Sequence, residues 1–192
     1  MNLPNKITLV RLLLIPLMVA MFYLTIIPFN YTIASLIFIV ASFTDFLDGY
    51  IARKYNLVSD LGKFLDPIAD KVLVLAAFII MLTNPVIFAG NIGFLFYQLL
   101  GGIGVVIIVS REMIVSVLRM VASSKGKVLA AEKIGKLKTL ISDIAIAVLL
   151  IAVNFSIFYY AGIVLYILAV VLTVVSGISY LVKNWDVFKN DW

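Results

Sequence analysis

The chain of 192 residues contains neither cysteine nor histidine. The first absence excludes disulfides, thiolate catalysis and Cys-ligated zinc. The second removes the usual general base and the usual transition-metal ligand. Charge is scarce as well: 13% of residues are charged against 64% hydrophobic, and the mean hydropathy is +1.18. That is far too apolar for a soluble domain and implies an integral membrane protein. No secretory signal is expected, because Met1 to Lys6 run directly into a spanning segment too long for a signal-peptide core. Any chemistry falls to carboxylates, Lys or Arg, hydroxyls and bound cations.

Six apolar segments are predicted, at about Ile7 to Ile27, Tyr31 to Arg53, Gly62 to Leu82, Asn91 to Met120, Lys138 to Val153 and Ile157 to Val182. Most can cross a hydrocarbon core of about 30 Å at about 1.5 Å per residue. The fifth is short, and the fourth is long enough to project beyond the bilayer. Connectors alternate in charge: Pro28 to Asn30, Thr83 to Gly90 and Asn154 to Ser156 carry none, whereas Arg53 to Lys63, Ser123 to Lys138 and the tail from Lys183 are basic. The positive-inside rule then places both termini and the two basic loops in the cytoplasm. The expected fold is one all-α membrane domain over residues 1–192, with six transmembrane helices and both termini cytoplasmic.

The stretch from Asp45 to Asp70 stands out because four carboxylates, Asp45, Asp48, Asp66 and Asp70, lie in apolar surroundings. Spacings of i, i+3 and i, i+4 place each pair on one helix face. Counted from the uncharged ends of their segments, Asp45 and Asp70 fall at matching depths of about 20 Å, and Asp48 and Asp66 also match. The four acids are therefore expected at one level in the cytoplasmic leaflet, where a lipid headgroup would lie. Clustered anions there would repel and take up protons unless they bind hard divalent cations. Gly49, Ala52 and Gly62 stand at helical spacing from the acids and serve either ligand approach or helix packing.

These residues together fit D-x2-D-G-x2-A-R-x8-G-x3-D-x3-D, and the chain here resembles the CDP-alcohol phosphotransferase family, whose signature this is. All eight fixed positions match, a coincidence with a chance probability on the order of 10⁻¹⁰ at a given start. The resemblance implies attack of an alcohol on the β-phosphorus of a CDP-linked donor, with CMP leaving. It implies metal binding by Asp45, Asp48, Asp66 and Asp70, with two Mg²⁺ or Mn²⁺ ions. Asp70 is implied as the general base, and Asp48, Gly49, Ala52, Arg53 and Gly62 as nucleotide-binding positions. A homodimer is implied too, in the cell membrane with the active site at the cytoplasmic face.

The runs Asn2 to Arg11, Ser110 to Arg119 and Ile134 to Thr139 resemble one branch of that family, in which CDP-diacylglycerol is the donor and sn-glycerol 3-phosphate the acceptor. An acceptor that carries its own phosphate needs a second cationic site. Arg111, Arg119, Lys136 and Lys138 are the candidates, and each has a plainer role as a topology signal or anionic-lipid contact. Arg11 belongs either beside the nucleotide or at the interface. Glu112 is expected to pair with a neighbouring cation, Asp143 with loop lysines, and Gly101, Gly102 and Gly104 to mark close helix contact. Inositol phosphate or serine as acceptor, a membrane prenyltransferase and a cation transporter are the alternatives; nucleic acid is not expected as a partner.

Overall fold

A computed structural model describes residues 3–55, 60–89, 94–127, 129–130 and 132–187. Among these residues the chain is helical throughout, without strands: α1 Leu3–Tyr23, α2 Asn30–Lys54, α3 Asp60–Thr83, α4 Pro85–Ala89, α5 Phe94–Ser124, α6 Lys133–Asn154 and α7 Tyr159–Lys183. Short 3₁₀ turns at Ser156–Phe158 and Trp185–Val187 flank α7. Four stretches, Leu3–Tyr23, Asn30–Ile51, Lys133–Asn154 and Ser156–Lys183, are long and apolar enough to cross a membrane. The helix α3 differs from them in carrying Asp60, Lys63, Asp66, Asp70 and Lys71 in its first half.

The element bounds depart from expectation at three places. The helix α1 starts and stops about one turn earlier than the apolar run suggests. Its end is set by the Asn30 side chain, whose amide donates to the Phe22 carbonyl at 2.8 Å and satisfies a terminal acceptor. The segment expected to be shortest extends back to Lys133, giving the 22-residue α6, whose second turn buries Lys138. The uncharged connector after α3 holds the extra helix α4. Pro85 opens it and Asn84 Oδ1 accepts the Val86 amide at 3.1 Å, a Pro-plus-Asn start that hydropathy alone does not reveal. The expected beginning of the fourth segment, at Asn91, lies outside the described residues.

The long helices run alternately up and down, and their buried stripes change character along their length. On α1 the inward residues are Pro4, Asn5, Thr8 and Arg11, then Ile15, Met18 and Phe22. On α6 they begin with Lys138 and Ser142 and continue with Ala145, Ile146, Leu149 and Leu150. The apolar halves meet in one core with Phe38, Leu73, Phe78, Ile108 and Tyr166. The polar halves meet at the opposite end. Both Leu3 and Lys183 lie at that polar end, as an even number of long helices requires.

Close helix contact explains two of the three clustered glycines. Tyr166 of α7 donates its hydroxyl to the Gly101 carbonyl at 2.6 Å. A Cβ on Gly101 would sit 2.7 Å from the Phe88 ring, and one on Gly104 would overlap the Tyr166 hydroxyl and lie 2.9 Å from Val170. Gly102 faces open space. Gly104→Ala is expected to destabilise the protein by about 1–3 kcal/mol through overpacking, whereas Gly102→Ala should leave stability unchanged or slightly raised. Thermal unfolding of the two variants in detergent checks this; an equal effect of both substitutions would contradict the packing.

Candidate active site

The polar end is built around a buried cation. Arg11 of α1 is fully enclosed, its Nη1 bonds Asp45 Oδ1 at 2.6 Å, and its Nη2 pairs with Asp48 of α2. Its Nε donates to Thr44 at 3.3 Å, so each guanidinium nitrogen has a partner on α2. Asp48 is equally enclosed at 2% exposure, whereas Asp45 is 44% exposed and keeps one side open to solvent.

One turn before Arg11, Thr8 joins the third helix to this pair. Its hydroxyl lies 2.8 Å from Asp66 Oδ1, 3.3 Å from Asp48 Oδ2 and 3.2 Å from the Pro4 carbonyl. A hydroxyl carries one proton, so it donates to one of the three at a time, and the shortest contact goes to Asp66. Asp48 and Asp66 thus flank a single oxygen atom. Three carboxylates, Asp45, Asp48 and Asp66, converge here; Arg11 pairs with the first two, and Asp66 is reached through Thr8. An anionic excess of hard oxygen donors fits a divalent cation. Among the described residues, however, no three acids already form a metal cage; Arg11 and Thr8 stand between them.

Asp70, one turn beyond Asp66 on α3, opens onto a cleft shared with Glu112 of α5 and with Lys138, Ser142 and Asp143 of α6. Glu112 Oε1 accepts from Lys138 Nζ at 2.5 Å and from Arg111 Nη1 at 2.9 Å. One carboxylate oxygen therefore holds together two of the four cations expected to take a phosphate. Arg111 fits because α6 and α7 offer glycines to it: a Cβ at Gly135 would stand 3.4 Å from its Nη2, and one at Gly177 would stand 3.1 Å from its Cγ. The Arg111 Nε is buried without a hydrogen-bond partner. The other two cations are placed apart. Arg119 donates to the Tyr180 hydroxyl at 3.0 Å and stacks over that ring, and Lys136 is exposed.

Of the expected nucleotide-binding positions, Asp48 and Gly62 are buried and Gly49 is half-buried. Ala52 and Arg53 belong to α2 but their side chains lie outside the described residues. The lysine expected to pair with Asp143 goes to Glu112 instead, and Asp143 Oδ2 accepts from Ser42 of α2 at 2.9 Å. Sequence reasoning passed over Thr8, Ser42 and the binding partners of Arg11. The spacing of Thr8 and Arg11, i and i+3 inside an apolar run, is the signal that could have found them: such groups need partners, and four acids on neighbouring helices supply them.

Comparison with known proteins gives one consistent result. The family described as CDP-alcohol phosphatidyltransferase matches residues 1–175. A CDP-diacylglycerol–glycerol-3-phosphate 3-phosphatidyltransferase of Bacillus subtilis is 41% identical over 202 aligned positions, covering 98% of this chain and 97% of the relative. Proteins of the same description from Salmonella choleraesuis and Rickettsia typhi are each 37% identical, over 94% and 93% of this chain and 93% and 94% of theirs.

Removing the enclosed cation leaves Asp48 buried and uncompensated. Arg11→Met is expected to cost about 3–5 kcal/mol, read as a fall of several degrees or more in the thermal midpoint of the metal-free protein in detergent. A midpoint within a degree of wild type would contradict the pairing described above.

Proposed function

Because the chain belongs to the CDP-alcohol phosphatidyltransferase family, we propose that it transfers the phosphatidyl group of CDP-diacylglycerol to sn-glycerol 3-phosphate, releasing CMP. The observation that carries this reading is the joint placement of the motif acids and the Glu112-linked cations around one polar end. The donor's pyrophosphate needs the first group and the acceptor's phosphate the second. Relatives that bear this activity in their description and align over nearly the whole chain support the choice of acceptor.

In this reading Asp45, Asp48, Asp66 and Asp70 hold the divalent ions, two Mg²⁺ or Mn²⁺. Bound there, the metal supplies Lewis-acid neutralisation of the pyrophosphate and of the charge gathering on the departing CMP oxygen. Arg11 remains the fixed counter-ion of Asp45 and Asp48 and keeps their oxygens aimed across α2. Gly49, Ala52 and Gly62 let the nucleotide approach the backbone, and Arg53 supplies a cation to its phosphates. Asp70 accepts the proton of the acceptor hydroxyl as that oxygen bonds the β-phosphorus and the bond to CMP breaks. Lys138 and Arg111 hold the acceptor phosphate, releasing Glu112 in exchange, with Arg119 and Lys136 as further cations along the approach.

The surrounding fold serves the same end. A single domain with six spans and both termini in the cytoplasm places the polar end at the cytoplasmic headgroups, where the basic loops belong. The acyl chains of the donor remain in the bilayer while the headgroup reaches the acids. A homodimer would meet on the α5 face that carries Gly102, since Gly101 and Gly104 are already used within the chain.

CMP release by purified protein in detergent, with CDP-diacylglycerol and Mg²⁺ or Mn²⁺, tests the reaction. Glycerol 3-phosphate is expected to support turnover while inositol, inositol phosphate and serine do not. Asp66→Asn should lower kcat by about 10²-fold or more, as expected for loss of a charge-stabilising group. Lys138→Gln should raise the KM for glycerol 3-phosphate about tenfold, the loss of one charged hydrogen bond. Turnover with a different acceptor would overturn the assignment of Arg111 and Lys138, and absence of CMP with every acceptor would overturn the transfer reaction; neither prenyl transfer nor cation transport yields CMP.

A further inference from the structure

Two adjacent polar groups in the Asp70 cleft are left without partners. Ser142 is 2% exposed, and its Oγ, like Asp143 Oδ1, is buried with no hydrogen bond. Both residues line the cleft that contains Asp70, Glu112 and Lys138. A buried polar atom left unpaired costs about 1–3 kcal/mol, and two in succession on one cleft point to a group that completes them.

The chemistry of the pair specifies that group. A carboxylate oxygen accepts a hydrogen bond and a serine hydroxyl can donate one, so together they match a single alcohol hydroxyl, which donates once and accepts as well. The carboxylate is also held in place: Asp143 Oδ2 is fixed by Ser42 at 2.9 Å. Ser42 stands three residues before Asp45 on the α2 face that bears the motif acids. Oδ1 therefore stays turned to the cleft. Lys138 lies four residues before Ser142, one turn away and about 6 Å along the α6 axis, and Asp70 contributes from α3.

We propose that Ser142 and Asp143 bind the middle, non-reacting hydroxyl of the acceptor, making the enzyme selective for a vicinal diol phosphate over a mono-alcohol phosphate of the same length. This rests on the acceptor assignment given above. Glycerol 3-phosphate presents a phosphate, a middle hydroxyl and a terminal hydroxyl in series; the cleft offers Lys138, the Ser142–Asp143 pair and Asp70. These two residues are positioning residues: they exchange no proton with the reacting oxygen and act by fixing the carbon chain so that the terminal hydroxyl reaches Asp70.

The test compares kcat/KM for glycerol 3-phosphate with that for 3-hydroxypropyl phosphate, which lacks only the middle hydroxyl, by CMP release from the full chain in detergent with CDP-diacylglycerol and Mg²⁺. Wild type is expected to prefer the diol by about 10- to 100-fold, the worth of a hydrogen bond to a charged group. Ser142→Ala and Asp143→Asn should each lower that ratio by about tenfold, with the KM for glycerol 3-phosphate rising. Asparagine keeps the shape and can still accept from Ser42, but presents an amide donor to the cleft. A wild-type ratio near one, or variants that lose activity equally toward both acceptors, would overturn the subsite while leaving the transfer reaction standing. Failure of wild type to release CMP with either acceptor would overturn the transfer reading and the subsite with it.

Discussion

The enclosed guanidinium of Arg11 is the constraint on which the rest of the arrangement depends. A permanent cation without solvent access must be matched by anions, because the desolvation of an isolated charge exceeds what packing alone can offset. Asp45 and Asp48 provide the match and thereby fix α1 against α2. Thr8, one turn earlier, brings Asp66 and hence α3 to the same point. Three helices are registered by one polar cluster around the enclosed guanidinium. The apolar surfaces farther along them, where Met18, Phe38 and Phe78 meet, could slide past each other at little cost in a lipid environment that is itself apolar.

This division of each helix into a polar half and an apolar half also decides where chemistry can occur. Side chains such as Lys138 and Ser142 on α6, or Asn5 and Arg11 on α1, share an end of the bundle because the helices alternate in direction. In the proposed reaction the acceptor phosphate approaches at that end. There Glu112 pairs both Lys138 and Arg111 and holds them close together. The pairing balances the cations when no anion is bound and sets their spacing for one that is.

Much of this was legible in the sequence because lipid-spanning helices obey strong rules. The apolar runs, the acid spacings and the eight-position signature pointed to the helices, to the meeting of Asp45, Asp48 and Asp66 and to the family. What escaped was long-range pairing. Arg11 is a single cation in an apolar run, and no local pattern says which of four acids it meets. Asp143 looked like a partner for lysines because Lys138 precedes it by five residues, yet the closer carboxylate in space is Glu112, which lies 26 residues earlier than Lys138 and on another helix. Short-range signals were missed as well: Asn84 and Pro85 announce α4, and Asn30 caps α1 through a contact eight residues back. Hydropathy averages over such single-residue cues.

The central claim is that three converging carboxylates, two of them paired with Arg11 and the third held by Thr8, leave an anionic excess that a hard divalent cation completes. Thr8 has one proton to offer and faces two carboxylates and a carbonyl, so Arg11 alone does not satisfy the cluster. Titration of the purified protein with Mn²⁺, followed by loss of the free-ion electron paramagnetic resonance signal, measures this without turnover. Saturable uptake in wild type, weakened or lost in Asp48→Asn and Asp66→Asn and unchanged in Asp186→Asn, an acid in the 3₁₀ turn that follows α7, is the predicted result. Uptake that is absent, or identical in all four proteins, would contradict it.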